Sequence, residues 1–264
     1  MSSPYTKSQL FIEEQLTIIN KEGKEVDFTL NPIQSKFVEQ ATGRDIILKA
    51  RQQGFSSFIL GGFTKDFLYT ANSLSVVIAD IADNAQDLLA RVKHYISAFE
   101  AKNKTKVPLK YNSKYELHNA YNNARYIIGT AENTEFGRSK TITNLHMSEA
   151  AFYKYFRKLQ AGAGTALVPH GRYVIETTAN GFNEFKEFWD ETTLGETDFT
   201  GHFFKASDFY DEEFLAREKR RLGRLYPQEY PETPEEAFIT SGDQYFDQDV
   251  LRQYLYLASE PNNV

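Results

Sequence analysis

The stretch Asp45-Ile46-Ile47-Leu48-Lys49-Ala50-Arg51-Gln52-Gln53-Gly54-Phe55-Ser56-Ser57 decides the fold. Its first five residues read as a strand, and Ser56 to Thr70 read as a helix. A phosphate-binding loop needs a strand, a tight turn with inward N–H groups, a cation, and a hydroxyl for Mg²⁺ at a helix N-terminus. The usual spacing is Gly-x4-Gly-Lys-Ser/Thr. Gly54 and Ser56 fit it, but Phe55 stands at the lysine and Lys49 at the first glycine. The cation has moved to the front of the loop, as Lys49 or Arg51. Arg51, three residues before Gly54, is the expected main cation because it can reach over the loop. Taken alone, the stretch also fits a polar strand-to-helix turn.

Outward from it, the same alternation repeats. Ser75 to Ala79 reads as a strand and Asn84 to Glu100 as an amphipathic helix with Leu88, Leu89, Val92, Tyr95, Ile96 and Phe99 on one face. Arg125 to Gly129 and Thr141 to Met147 are strands, the second followed by a helix over Glu149 to Gln160. Arg172 to Thr177 is a strand, Phe182 to Glu191 a helix, and His202 to Lys205 a late strand. Apolar strands alternating with helices predict an α/β fold with a mostly parallel central sheet flanked by helices. Such sheets carry ligand sites at the carboxyl ends of their strands. After about residue 207 the texture changes. Asp208 to Leu225 reads as a charged helix, Tyr226 to Pro234 as extended or turned because of its three prolines, and Asp247 to Leu257 as helical. The expected division is a core over 1–206 and a C-terminal lid or linker subdomain over 207–264, with 1–30 packing against the lid.

Composition narrows the function. The chain has 264 residues, no cysteine, and five widely spaced histidines. That excludes a disulfide scaffold, thiolate zinc sites and a cysteine nucleophile, and argues against a histidine-built metal site. No apolar run is long enough to span a membrane, and Met1 to Gln9 lacks a signal-peptide core. A soluble intracellular protein is the expectation. The net charge of −6 is uneven: residues 1–181 carry +5 and residues 182–264 carry −11. Arg91 to Lys114 holds seven basic residues and one acid, Glu100, which reads either as a patch for a polyanion or as a solvated helix end.

Three further motifs follow, two of them at strand ends. Ile142 to Ser148 leads into Glu149. ATPases commonly end this strand in Asp-Glu, where Asp supports the metal and Glu polarises the attacking water. Glu149 fits the second role, or that of a helix N-terminal acid favoured by the dipole. Ser148 replaces the Asp, and its hydroxyl could hold a metal-bound water without charge. Glu176-Thr177-Thr178-Ala179-Asn180-Gly181 puts small hydroxyl and amide residues at the next strand tip, suited to sensing a γ-phosphate. Upstream, Gln34 in Asn31-Pro32-Ile33-Gln34 can pair with an adenine edge; read by itself it is a surface residue.

In this order, Asn31 to Gln34, the loop from Lys49 to Ser56, His146 to Phe152 and Thr177 to Gly181 resemble the ATPase domain of the large terminase subunit of tailed bacteriophages. So does Tyr230-Pro231-Glu232-Thr233-Pro234-Glu235-Glu236-Ala237-Phe238. The resemblance spans roughly residues 30–247. It implies a P-loop NTPase of the ASCE type that hydrolyses ATP with Mg²⁺ to drive double-stranded DNA into a procapsid. By residue, it implies Gln34 at the adenine, and Lys49, Arg51 and the N–H groups of Gln52, Gln53, Gly54, Phe55, Ser56 and Ser57 at the phosphates. Ser56 would ligate Mg²⁺ with Ser148 behind it. Glu149 would be the catalytic carboxylate, and Thr177, Thr178 and Asn180 the coupling motif. Arg138, in Phe136-Gly137-Arg138-Ser139, stands where related motors present an arginine to a neighbouring subunit's ATP.

The implied partners are double-stranded DNA held through its phosphates, the portal protein, the small terminase subunit and further copies in a ring. The chain would be a monomer in isolation. The implied location is the host bacterial cytoplasm, at the procapsid portal. The Arg91–Lys114 stretch is the candidate DNA surface. The family's nuclease domain would follow Phe246-Asp247, so a motor without cutting activity is expected. The alternatives are a helicase-like translocase and a non-catalytic capsid or portal adaptor with a vestigial nucleotide site.

Overall fold

A computed structural model describes residues 3–137 and 140–238. Arg138 and the expected helix over 247–257 lie outside the described residues. The chain opens with helix α1 (Thr6–Gln15), a hairpin of β1 (Thr17–Ile19) and β2 (Glu25–Asp27), and α2 (Pro32–Gln40). Then come β3 (Arg44–Lys49), α3 (Phe55–Tyr69), β4 (Leu74–Ala79) and α4 (Ala82–Asn103). An edge pair β5 (Leu109–Asn112) and β6 (Glu116–Asn119) precedes β7 (Arg125–Thr130) and β8 (Ile142–Ser148). The remainder is α5 (Phe156–Gly164), β9 (Leu167–Thr177), α6 (Glu184–Thr193), β10 (Thr200–Phe204), α7 (Glu212–Leu222), α8 (Tyr226–Glu229) and α9 (Pro234–Ala237).

The main sheet runs β10-β3-β9-β8-β4-β7-β6-β5. Its first six strands are parallel, and β6 and β5 add an antiparallel margin. Strands β9 and β8 are inserted between β3 and β4, so consecutive strands β3 and β4 are not neighbours. Each buried strand sends alternate residues to opposite faces. Ile47, Val77 and Val174 join the apolar cluster beneath α1 to α4. Ile46, Leu48, Ile78, Met147 and Ile175 join the one containing Phe156, Phe185 and Trp189 of α5 and α6. Lys49, His146, Ser148 and Glu176 fall, by the same alternation, on the α3 face.

Four sequence expectations change. Glu149 does not start a helix: it takes a left-handed conformation (φ 57°, ψ 44°), followed by a 3₁₀ turn over Ala150–Phe152 before α5. The proline-rich segment forms the short helices α8 and α9, because Pro227 and Pro234 sit in first turns, where a missing N–H costs nothing. The charged helix contracts to α7 with a 3₁₀ extension over Gly223–Leu225. Residues 5–30 pack mainly on the core rather than on a lid: Tyr5, Phe11, Ile12 and Leu16 are buried in the α1–α4 cluster. Gly61 permits that docking, since a Cβ there would come within 3.0 Å of Ile12 Cγ1. Lys21 of the β1–β2 hairpin lies over the rings of Tyr210 and Phe214.

Candidate active site

Lys49 closes β3, Ser148 closes β8 and Thr177 closes β9, so three carboxyl ends converge. A cleft of about 1030 Å³ opens there, bounded by Arg51 to Ser57, by Asp80 after β4, by the Asn84–Tyr95 face of α4, and by Ile18 to Lys21 of the hairpin. This matches the upper end of the roughly 300–1,000 Å³ typical of small-molecule sites.

The loop between β3 and α3 turns on two left-handed residues, Gln52 (φ 57°) and Gly54 (φ 82°). Gly54 caps α3 without a side-chain hydrogen bond. The first N–H groups of α3 are therefore free of a side-chain cap, which with the helix dipole makes an anion seat. Phe55 explains why no lysine occupies its position. Its ring is fully buried, with its centroid 4.7 Å from that of Phe204 and 5.8 Å from that of Phe37, so the side chain turns into the core. The Gln53 side chain also turns inward, its Nε2 donating to Lys205 O at 3.1 Å.

Gln34 departs from both of its sequence readings. It is 2% exposed, and it does not line the cleft. Its amide is committed to the loop: Oε1 accepts from Asn31 N in a capping box, and Nε2 donates to Gly54 O at 2.8 Å. Asn31 adds a bond from Nδ2 to Gln53 O at 3.1 Å. The Asn31–Gln34 motif thus braces the back of the loop.

The two candidate cations separate. Lys49 is buried, with Nζ 3.3 Å from Glu149 Oε1 and 3.1 Å from Glu176 Oε2. Arg51 stands at the rim, 59% exposed, paired with Glu229 at 3.1 Å. The C-terminal unit holds this rim: Arg51 N donates to Glu229 O, and Tyr210 Oη donates to Arg51 O at 2.7 Å. Tyr210 and Tyr230 pack with Ala50.

Glu176 is a site residue that the sequence motifs do not single out. It is fully buried, and its Oε1 accepts from Ser148 Oγ at 2.7 Å and Ser56 Oγ at 2.8 Å, with His146 Nε2 at 3.2 Å. The available signal is an acid inside the apolar run Tyr173-Val174-Ile175-Glu176; a buried charge needs partners and marks a special site. Burial pushes its carboxyl up, but Lys49 and the bonds from His146 and Ser148 outweigh burial and hold it well below the carboxylate range. Burial also pulls Lys49 down, and there the two acids win and raise it. Burial drives Glu149 above its usual range; Lys49 opposes this and the charge of Glu176 adds to it.

Glu149 is tied in place from behind. Its N donates to Glu176 O at 2.8 Å, and its Oε2 accepts from Thr178 N at 3.3 Å with Thr177 Oγ1 at 3.5 Å. A left-handed non-glycine costs about 1–3 kcal/mol and persists only where surroundings enforce it. The next residues connect to α6: Asn180 Nδ2 and Asn183 Nδ2 both donate to Ala151 O, and Asn183 caps that helix. Hydrogen bonds thus join the turn after Glu149 to the start of α6. The basic stretch divides: Arg91 approaches Ser57 Oγ at 3.5 Å in the cleft, while Lys102 pairs with Asp27 and Lys106 with Glu100.

The donors at the floor are hydroxyl and carboxylate oxygens, which suit Mg²⁺. No group of three or more His, Cys, Asp or Glu able to hold a metal occurs among the described residues. A cation here therefore needs ligands from a bound phosphate chain, the usual arrangement for Mg²⁺.

Sheet order defines the class: an α/β fold with a mostly parallel central sheet flanked by helices, consistent with a P-loop fold. More narrowly, the fold is that of phage large-terminase ATPase domains. The ATPase domain of the Thermus phage P74-26 large terminase superposes with a TM-score of 0.64 at 18% identity, covering 77% of this chain and 93% of that one. The HK97 bacteriophage large terminase gives 0.63 at 16% identity over 98% of this chain and 52% of that one. The large terminase of a thermophilic bacteriophage, in complex with ADP, gives 0.59 at 14% identity over 92% and 56%. The chain thus spans about half the length of the last two proteins. No protein-family model and no curated protein sequence matches it.

Proposed function

We propose that this chain is an ATPase that drives double-stranded DNA into a viral procapsid. The observation that carries the reading is the cluster of Lys49, Ser56, Glu149 and Glu176 at the converging strand ends, beneath an uncapped helix start. The likeness in fold to terminase ATPase domains supports the packaging role.

Phosphoryl transfer asks a protein for positioning and charge stabilisation. The N–H groups from Gln52 to Ser57 hold the β-phosphate. Lys49 meets the phosphates from the floor and Arg51 from the rim. Ser56 would hold Mg²⁺, which would supply neutralisation of phosphate charge. Glu149, its carboxyl raised by burial, orients the attacking water and accepts its proton. Thr177, Thr178 and Asn180 carry the change at Glu149 towards α6. Arg138 serves the ATP of a neighbouring subunit, an effect worth roughly 10³–10⁵ in rate where it operates. The isolated chain is then a slow ATPase, and assembly at the portal, with the small terminase subunit, speeds it.

ATP turnover by purified protein tests the reading. The expected result is slow, Mg²⁺-dependent hydrolysis that Glu149→Gln lowers by orders of magnitude without loss of nucleotide binding. Binding without turnover in the assembled, DNA-bound state would instead make the chain a non-catalytic adaptor. Mixed assemblies of Arg138→Ala and Glu149→Gln subunits should recover activity that neither has alone, because each supplies what the other lacks. No recovery from mixtures that do assemble would confine Arg138 to its own subunit.

A further inference from the structure

The end of β8 lacks the acid that should support a nucleotide-bound metal, because Ser148 stands there. The adjoining strand supplies one. Ser148 and Glu176 are direct register partners across β8 and β9, and neighbouring strands lie about 4.7–4.9 Å apart. A glutamate arm on β9 thus reaches the space an aspartate on β8 would fill, as the 2.7 Å bond from Ser148 Oγ to Glu176 Oε1 demonstrates. β9 lies between β8 and β3, so the carboxylate also meets the phosphate-loop hydroxyl, Ser56 Oγ, at 2.8 Å.

We propose that Glu176 is the carboxylate that anchors the magnesium ion of a bound nucleotide, moved one strand across from Ser148 and acting through Ser56. The proposal rests on the nucleotide-site reading above. Glu176 takes the hydroxyl proton of Ser56 as a hydrogen bond, which leaves the Ser56 oxygen lone pairs for a cation. Its Oε2 has the ion-pair contact with Lys49 and no hydrogen bond. Charge argues the same way. Two carboxylates, Glu149 and Glu176, face one ammonium at the floor, so the floor beneath the loop has an excess of negative charge next to where phosphates would sit. A divalent cation offsets that excess, and hard oxygen donors are what Mg²⁺ takes.

The test is the affinity of fluorescent N-methylanthraniloyl-ADP, measured with Mg²⁺ and with EDTA, alongside the Mn²⁺ electron paramagnetic resonance signal in the presence of ADP. Wild-type protein should bind the nucleotide more tightly with Mg²⁺. Glu176→Gln should lower metal affinity by ~10–100-fold, as loss of a group supporting a metal ligand does, while affinity in EDTA stays within a few-fold. Because removing a charge beside Lys49 can unfold the protein, the exchange variant Ser148→Asp with Glu176→Ser keeps one acid at the floor. It should restore most of the Mg²⁺ response. An unchanged Mg²⁺ response in folded Glu176→Gln would overturn the proposal, and so would a folded exchange variant that binds nucleotide in EDTA but ignores Mg²⁺. Failure of wild-type protein to bind nucleotide at all is a different result and sinks the nucleotide-site reading itself.

Discussion

The floor and the rim of the cleft are built from one loop, yet they follow opposite physical rules. Lys49 and Arg51 are two residues apart. Lys49 is buried between two carboxylates, and Arg51 is more than half exposed against one. Charges at the floor interact in a low dielectric and are held before any ligand arrives, which favours electrostatic stabilisation of a transition state. Charges at the rim are screened and mobile, and they suit a contact that forms and breaks. A loop without the usual lysine can therefore still bring a fixed cation to its centre, provided the strand beneath supplies it.

The largest expected effect breaks the floor at Glu149. Glu149→Gln keeps shape and hydrogen bonding but loses the base, so turnover should fall by about 10²–10⁴-fold while ADP affinity changes little. Normal turnover in this variant would remove Glu149 from the chemistry. The pH profile adds a sign. As the proposed base Glu149 must be ionised, and burial raises its carboxyl above the ordinary carboxylate range. The acid limb of kcat/KM should thus lie above that range. Lys49→Met removes the main opposing charge and should move the limb further up.

Next in size is the contrast between the two cations. Lys49→Met strands Glu176 in the interior, and breaking a buried pair from one side costs about 3–5 kcal/mol. Arg51→Ala removes an exposed pair worth about 0–1 kcal/mol. Thermal or denaturant unfolding near neutral pH should show that difference. Glu176 has a depressed carboxyl in the native protein, so its pairing contributes stability above the ordinary carboxylate range and loses it as pH falls through the native value. In Lys49→Met that contribution is gone, and the gap from wild type should close as pH falls. Equal stability losses for the two variants would erase the distinction between floor and rim. On nucleotide binding the sequence favours Arg51, and the geometry favours Lys49 as the inner contact; titration of both variants with ADP decides.

Much of this is legible in the sequence because it is periodic. The parallel strands announce themselves as short apolar runs, and Gly54 with Ser56 locates the loop. The short edge strands β5 and β6 are not visible, since Leu109–Asn112 has one partly buried residue and three exposed ones and carries no apolar run. The break after Ser148 is hidden because the left-handed turn at Glu149 is enforced by tertiary bonds to Glu176 and Thr178, not by a glycine. Glu176 escapes notice as a site residue for a related reason. A motif is read along the chain, whereas its partners Lys49, Ser56 and Ser148 come from two neighbouring strands and the start of α3. The place of Gln34 behind the loop is hidden because sequence order says that it precedes the loop but not which side of the loop it touches.

A smaller predicted effect than the loss of Lys49 concerns Gln34, and it sharpens the contrast from behind the loop. A glutamine that reads adenine discriminates between bases, so Gln34→Ala would then weaken ATP binding and leave GTP binding unaffected. A glutamine that braces the loop affects every nucleotide alike. The geometry supports the brace: Nε2 is spent on Gly54 O and Oε1 on the capping box. Gly54 reinforces it, because a Cβ there would come within 2.9 Å of Gln34 Nε2. Losing one side of a capping box and one buried hydrogen bond should cost about 1–2 kcal/mol of stability. It should weaken ADP and GDP by the same modest factor. A Gln34→Ala protein of unchanged stability, with its loss confined to adenine nucleotides, would return Gln34 to the base and require the loop to open far enough for its amide to turn into the cleft.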